Sequence, residues 1–218
     1  MIASLQMRLV PLALLIAAPP AFLGQTVTTR DGNVLFKAKD GSAIQITSSG
    51  LDSDPGLSAN KKLVVFVRRT PSFKIWTALE ETDRNEIWVA SISAEPEPRR
   101  VLVGHGSVNG GRDLAGFSSP QFSLDAKRVY FIAELAATGN SVRALDLATG
   151  KVDFLYRGES VEVIQSGSYA GYLIGLKAIP HAFPPPHVFR YWLLDQHGKD
   201  VAEIGEESDV KIFKSGRF

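Results

Sequence analysis

One strand pattern recurs three times along the chain and constrains its fold more than any other feature. Leu57 to Val67, Phe122 to Ile132 and Gln165 to Leu176 each read as a short strand, a tight polar turn and a hydrophobic strand. The last two copies start about 43 residues apart, the period of a β-propeller blade, whereas the first two start about 65 apart. This spacing predicts a propeller in which one blade carries an insertion.

Short hydrophobic segments alternate with turn signals from Thr26 onward, which predicts an antiparallel, all-β protein. A hairpin around Asp40-Gly41 is expected to join Asn33–Lys37 to Ala43–Thr47. Three sets of four strands, named A to D in chain order, should follow: Asp52–Leu57, Leu63–Arg68, Glu86–Ser91 and Arg99–Val103; Ser119–Ser123, Arg128–Ala133, Val142–Asp146 and Val152–Tyr156; Val161–Gln165, Tyr172–Lys177, Val188–Leu194 and Asp200–Ile204.

The termini are expected to complete one further blade together. Its strands C and D come from the N-terminal hairpin, and Ser208 to Lys214 should supply its strand A. Joining terminal strands in one blade removes sheet edges that invite aggregation. The prediction is therefore a small or incomplete propeller of about three full blades plus one assembled from the termini. The alternative is an open arc whose blade edges are covered by another chain, which would allow self-association through those edges.

Charge and cysteine content exclude several classes of partner and cofactor. The formal net charge is +1, with 24 Lys and Arg against 23 Asp and Glu. A near-neutral, mixed surface argues against nucleic acid, whose phosphates require a basic face. With no cysteine, the chain cannot form disulfides, Cys-ligated zinc sites or iron–sulfur clusters. No cofactor is predicted.

The N-terminus has the pattern of a secretory signal. Arg8 precedes an apolar run from Leu9 to Ala18, and Pro19, Pro20 and Ala21 follow. This run is shorter than the roughly 20 apolar residues that span a bilayer. We therefore predict a signal peptide at residues 1–24, a propeller domain at residues 25–218, and a periplasmic or secreted location without a membrane span after cleavage. An uncleaved anchor is the alternative.

The unit formed by strands A and B resembles the WD40-like repeat of TolB-type propellers. The nine residues from Ser123 to Phe131 match that repeat best, those from Ser58 to Phe66 match more weakly, and Asp146 to Gly150 resembles the family's C–D turn. The repeat's proline is missing from both copies, and its glycine is replaced by Ala126 and Lys61. The resemblance covers about residues 26–204 and implies the fold, but not identity with the translocation protein TolB, which carries a further domain.

Loop lengths indicate where binding takes place. In a four-stranded meander the B–C and D–A connections lie at one end of each blade, and the long connections at residues 69–85, 105–116 and 178–187 all belong to that end. We call it the long-loop face. Long loops on a rigid β scaffold commonly carry binding residues, although they can also simply cover the mouth of the propeller.

Five residues of these loops are the candidate binding residues: Phe73, Trp76, Arg112, His181 and His187. The two aromatic residues are typical either of binding anchors or of side chains that pack on the edge of a blade. Arg112 lies in a glycine-rich loop that no helix follows, so flexibility and a local ion pair explain it better than phosphate binding. The two histidines flank three prolines, a stiff segment in which local spacing marks no further metal ligand.

No catalytic signature is present: the chain has no G-x-S-x-G elbow, no H-E-x-x-H and no Walker loop. Acidic residues that cluster near the starts of A strands, where propeller strands converge, could hold a cation or serve turns and caps. They are Asp52, Asp54, Glu159, Glu162 and Asp209.

These observations predict an exported, non-enzymatic propeller that binds a protein or other macromolecule of the cell envelope. The alternative is a propeller hydrolase or lyase with an axial site of acids and histidines. A third hypothesis is a free-standing relative of the propeller that gates prolyl-oligopeptidase-like peptidases.

Overall fold

A computed structural model of the chain describes residues 24–77, 80–106, 114–135, 139–179 and 188–216. These residues form fourteen strands and one short helix. The elements are β1 Thr26–Arg30, β2 Asn33–Lys37, β3 Ala43–Gln45, β4 Asp52–Leu57, β5 Leu63–Trp76, β6 Glu81–Ser91, β7 Arg99–Val103, β8 Ser118–Phe122, β9 Arg128–Leu135, β10 Gly139–Asp146, β11 Val152–Val163, β12 Leu173–Ile179, β13 Val188–Leu194, β14 Asp200–Gly205 and α1 Glu207–Lys214. No helix in these ranges is long and apolar enough to cross a membrane.

The strands form antiparallel meanders that follow chain order. The N-terminal sheet has the order β1-β2-β3, and the first blade has the order β4-β5-β6-β7. Strands β8 to β14 form one seven-stranded sheet, because β11 belongs to two blades. Its first half pairs with β10 and its second half with β12, with a register shift between Gly158 and Ser160. Two strands that the sequence predicts separately, Val152–Tyr156 and Val161–Gln165, are therefore one bent strand that ends the second blade and begins the third.

Each B strand is buried on both faces, which explains its unbroken apolar run. On β5, Val64 and Phe66 pack toward the N-terminal sheet, against Val34 and Phe36. Val65 and Val67, the alternate residues of β5, face the second blade. They share a core with Phe122, Val129, Phe131 and Leu145. Side chains of a strand alternate between faces, so one B strand joins two neighbouring units.

The A–B turn explains the repeated Ser-x-Asp/Asn motif. The Ser123 hydroxyl donates to the Asp125 carboxylate at 2.7 Å and accepts the backbone N–H of Arg128 at 2.9 Å. Together with the N–H of Lys127, that serine donor lowers the pKa of Asp125. In the first blade, Ser58 makes the equivalent bonds to Asn60 and to the backbone N–H of Leu63.

The C-terminal segment corrects one prediction. Ser208 to Lys214 belongs to helix α1 and is not a strand. Its first turn is acidic and its last turn basic, and the Asp209 carboxylate accepts the backbone N–H of Glu206 at 2.8 Å, all of which favour a helix. The N-terminal sheet is thus built in the described residues from β1, β2 and β3 alone, without the expected strand from the C-terminus.

We expect Phe131→Ala to lower the free energy of unfolding by about 3–5 kcal/mol, because it leaves a cavity in the core between the first two blades. Phe131 is fully buried, and its ring meets Phe117 edge-on with centroids 5.3 Å apart. Urea unfolding of the variant measures the loss. Phe154→Ala is the control, since that ring is 46% exposed. A loss under about 1 kcal/mol for Phe131→Ala would show that this position is not core.

Replacing Ala126 by Gly should raise the free energy of unfolding by up to about 1 kcal/mol. Ala126 has a φ of 57°, in the left-handed region where a Cβ is strained, and the family motif has glycine at this position. Thermal and urea unfolding give the change. Leu124→Gly in the same turn should be destabilising, and an equal loss from both variants would contradict the assignment of strain to Ala126.

Candidate functional site

The longest predicted loop, residues 69–85, is mostly a two-stranded arm. Strand β4 stops pairing with β5 at Arg68, and β7 stops pairing with β6 at Glu86. Beyond these residues β5 and β6 pair with each other as far as Trp76 and Glu81. The segment is exposed, as predicted, but the prediction of a loop is wrong, because cross-strand pairs continue the hairpin past the end of the blade. We call residues 69–85 the arm.

A buried carboxylate holds the root of the arm. The side chain of Glu86 is 1% exposed and lies 3.2 Å from the Arg84 guanidinium and 3.1 Å from that of Arg100. The indole N–H of Trp88 donates to its second oxygen at 2.9 Å. A buried charge is unfavourable unless it is paired. The Glu86 carboxylate and the two arginines therefore hold one another in place where the arm leaves the blade.

A second buried acid lies beside this root. Asp52, the first residue of β4, accepts two hydrogen bonds from Arg68, at 2.6 and 3.0 Å, and one from the Ser49 hydroxyl at 2.7 Å. The Arg68 guanidinium also lies 4.4 Å from the ring of Trp88. Bidentate pairing with carboxylate constrains arginine geometry, so the four-stranded end of the blade is rigid below the arm.

The two predicted aromatic residues lie on opposite faces of the arm. A register shift between Thr70 and Lys74 places Phe73 in a bulge, where its ring lies 4.1 Å from the guanidinium of Arg84. Trp76 pairs with Glu81 and so shares the face that carries Asp83, by strand alternation. Phe73 is 54% exposed and Trp76 is 68% exposed. The arm therefore presents one supported and one freely exposed aromatic ring.

The connection after β7 supports the arm from one side. The backbone N–H of Gly104 donates to the carbonyl of Asn85 at 2.9 Å, and His105 forms a β-bridge with Leu114. A Cβ on Gly106 would lie 1.8 Å from the carbonyl oxygen of Trp76, so this contact requires glycine. The backbone of Trp76 is thereby packed while its indole remains exposed.

A polar cleft of about 570 Å³ opens beside the arm, between the first and second blades. The arm contributes Arg69 and Asp83, whose side chains lie 3.8 Å apart, and the second blade contributes Glu134 and Asn140. Hydroxyl groups of Ser53, Ser118 and Thr82 complete the polar wall. These groups can donate and accept hydrogen bonds, and none of the lining side chains is a histidine or cysteine. The cleft therefore suits recognition of polar groups.

The structure brings two of the five predicted residues together on the arm, Phe73 and Trp76. Arg112, His181 and His187 lie outside the described residues, and their roles stay predictions. Sequence reasoning missed Phe189, which is 37% exposed near the start of β13, on a second hairpin of the same face. Alternation along β13 is the signal that places its ring outward.

The acidic residues near the strand starts have separate partners. Asp52 pairs with Arg68, Glu159 accepts the side-chain N–H of Asn140 at 2.6 Å, and Glu162 pairs with Lys214. Asp209 caps the helix. Among the described residues no group of three or more acids or histidines is placed to hold a metal ion. Ion pairs, a side-chain hydrogen bond and a helix cap account for these four acids.

Neither the protein-family models nor the curated proteins include a match to this chain. Solved structures do match. The β-propeller domain of the trilobed protease from Pyrococcus furiosus is 13% identical, with 80% of this chain and 48% of that chain covered and a TM-score of 0.50. A puromycin-hydrolysing peptidase from Mycobacterium tuberculosis is 16% identical, covering 88% and 28%, with a TM-score of 0.48.

TolB from Acinetobacter baumannii is 13% identical, with 84% of this chain and 51% of that chain covered and a TM-score of 0.37. This chain spans about half or less of the length of each of these three structures. At such identities the likeness shows the fold alone. The chain has a β-propeller fold, as its repeats predict.

Proposed function

We propose that this chain is an exported, non-enzymatic propeller that binds a protein or other macromolecular partner of the cell envelope through its long-loop face. The observation that carries the proposal is the arm, which raises Phe73 and Trp76 above a root fixed by buried ion pairs. Exposed aromatic rings on a rigid support supply large contact area at low entropic cost, as binding hot spots do.

The surroundings of Trp76 suit a macromolecular partner. The charged pair of Arg69 and Asp83 and the polar cleft lie beside the arm, so a partner would meet an apolar anchor next to hydrogen-bonding groups. Interfaces between proteins combine these two features, an apolar anchor and a polar rim. The hairpin that carries Phe189 adds a third exposed ring to the same face.

Export rests on the N-terminal sequence: the apolar run from Leu9 to Ala18 after Arg8 fits a signal peptide at residues 1–24, ahead of a propeller domain at residues 25–218. Cell fractionation should find the protein in the periplasm or medium, shortened at its N-terminus. Deleting residues 9–18 should hold it in the cytoplasm. Full-length protein found only in the cytoplasm would contradict export.

Replacing Phe73 and Trp76 by Ala should weaken capture of the envelope partner by at least about 30-fold, since truncated hot-spot aromatics lose about 2 kcal/mol or more. The partner is first identified by co-purification of cross-linked protein from the cell envelope, and its affinity is then measured for each variant. Single substitutions test the two faces of the arm separately. The exposed indole of Trp76 should contribute more to the binding affinity than the ring of Phe73, which rests on Arg84.

Three variants away from this face are controls. Thr149→Ala and Gln196→Ala lie in short C–D turns at the opposite end, and Phe154→Ala removes a ring of similar exposure from another surface. All three should leave capture unchanged. Equal loss from the controls, or a melting temperature that collapses in the arm variant, would show that the arm aromatics are structural.

A further inference from the structure

The A–B turn of the third blade differs from the other two. In the first two blades the hydrogen bond that closes this turn joins residues five apart, from Ser58 to Leu63 and from Ser123 to Arg128. In the third blade it joins residues eight apart, from Ile164 to Tyr172. The fold makes this turn twice with fewer residues, so the longer turn is not a requirement of the repeat. Insertions within a repeat commonly carry binding residues.

Backbone hydrogen bonds give the longer turn a defined conformation. The N–H of Gly171 donates to the carbonyl of Ile164 at 2.8 Å, and the N–H of Ala170 donates to the carbonyl of Gly167 at 3.1 Å. Gly167 has a φ of 84°, in the left-handed region that favours glycine. The turn therefore holds the side chains that it carries at fixed points.

One of these side chains is an aromatic ring that lies beside α1. The ring of Tyr169 meets the ring of Tyr172 edge-on, with centroids 5.6 Å apart. It also lies 5.6 Å from the ring of Phe213 in α1, at an angle of 31° between the planes. Tyr169 is nevertheless 43% exposed. Two neighbouring rings thus support an aromatic side chain that a ligand can reach.

A cleft of about 480 Å³ opens between this turn and α1. Its apolar wall is formed by Tyr169, Ile174 and Phe213. Small-molecule sites have volumes of roughly 300–1,000 Å³ and combine an apolar lining with a few polar groups. Because the A–B turns lie at the end of the blades opposite the long-loop face, this cleft is separate from the arm.

The polar wall of the cleft carries no excess charge. Glu162 and Lys214 are the only charged side chains among the described lining residues, and they pair with each other at 2.5 Å. The other polar side chains are Gln165, Ser166 and Ser168. Within the part of the chain that the structure describes, the two serine hydroxyls have no hydrogen-bond partner. The wall therefore offers donors and acceptors to a ligand but no unpaired charge.

We propose that this cleft binds a neutral saccharide, with one sugar ring of an oligosaccharide stacked on Tyr169. A pyranose ring has an apolar face of C–H groups and a rim of hydroxyl groups. The C–H hydrogens carry partial positive charge, which the negative face of an aromatic ring attracts. The hydroxyl groups need hydrogen-bond partners when they leave water, and the polar wall supplies them. An ionic ligand would find no unpaired countercharge in this lining.

The ion pair contributes hydrogen bonds to such a ligand. Lys214 has three N–H donors, of which one bonds Oε2 of Glu162. Its other donors and Oε1 of Glu162 can bond sugar hydroxyls, and hydrogen bonds to charged groups are stronger than neutral ones. The hydroxyls of Ser166 and Ser168 can each donate and accept. This site does not depend on the function proposed for the long-loop face.

The test titrates the full chain with four neutral tetrasaccharides: chitotetraose, cellotetraose, maltotetraose and mannotetraose. Calorimetry should give a Kd below about 5 mM for at least one of them. Saturation transfer from aromatic protons should mark the C–H protons of the bound sugar. Tyr169→Ala should weaken binding by at least about tenfold, whereas Tyr169→Phe keeps the ring and should retain most of the affinity. Phe154→Ala is the control, since it removes a ring of similar exposure from another surface.

A second variant keeps the test decisive if Tyr169→Ala fails to fold. Ser168→Arg adds charge and volume to the cleft while every ring remains, and it should also abolish saccharide binding. Ser93→Arg, at an exposed position in a turn of the first blade, should leave binding unchanged. Absence of binding to all four tetrasaccharides, full affinity in a folded Tyr169→Ala or Ser168→Arg variant, or tighter binding of the anionic tetragalacturonate would each overturn the proposal.

Discussion

Face-to-face packing of consecutive sheets through their B strands is the contact on which the rest of this structure depends. Val64 and Phe66 meet the N-terminal sheet, while Val65 and Val67 of the same strand meet the second blade. Each core is therefore shared by two units and neither unit buries its apolar surface alone. Stability is therefore shared among the packed sheets.

The two ends show that covering a face and closing a sheet edge are separate problems. The N-terminal sheet has only three strands in the described residues, and its last strand, β3, is three residues long, which limits the edge available for pairing. At the other end, α1 covers an apolar face but adds no strand to β14. The helix thus buries apolar side chains of the third blade without extending its sheet.

Sequence patterns predict the parts of this fold that local chemistry decides. The bounds predicted for β4, β7 and β13 agree with those of the structure. Ser123 and Asp125 fix the A–B turn of the second blade by hydrogen bonds within six residues. The sequence does not predict the arm, because its strands contain Pro71 and depend on contacts across the hairpin. One such contact is the hydrogen bond that the Thr70 hydroxyl donates to the carbonyl of Arg84. Helix α1 was missed because Val210 and Ile212 alternate as in a strand, and long-range packing of Val210 decides the outcome.

The exposed aromatic residues of the arm can be found in the sequence, but the network that supports them cannot. Exposed aromatics in a long connection can be read from sequence, whereas the carboxylate of Glu86, buried among Arg84, Arg100 and Trp88, can be found only once three strands are aligned. This network separates the arm from the apolar cores that join the blades. Because the arm begins where the cores end, its exposed side chains can change without loss of packing between blades.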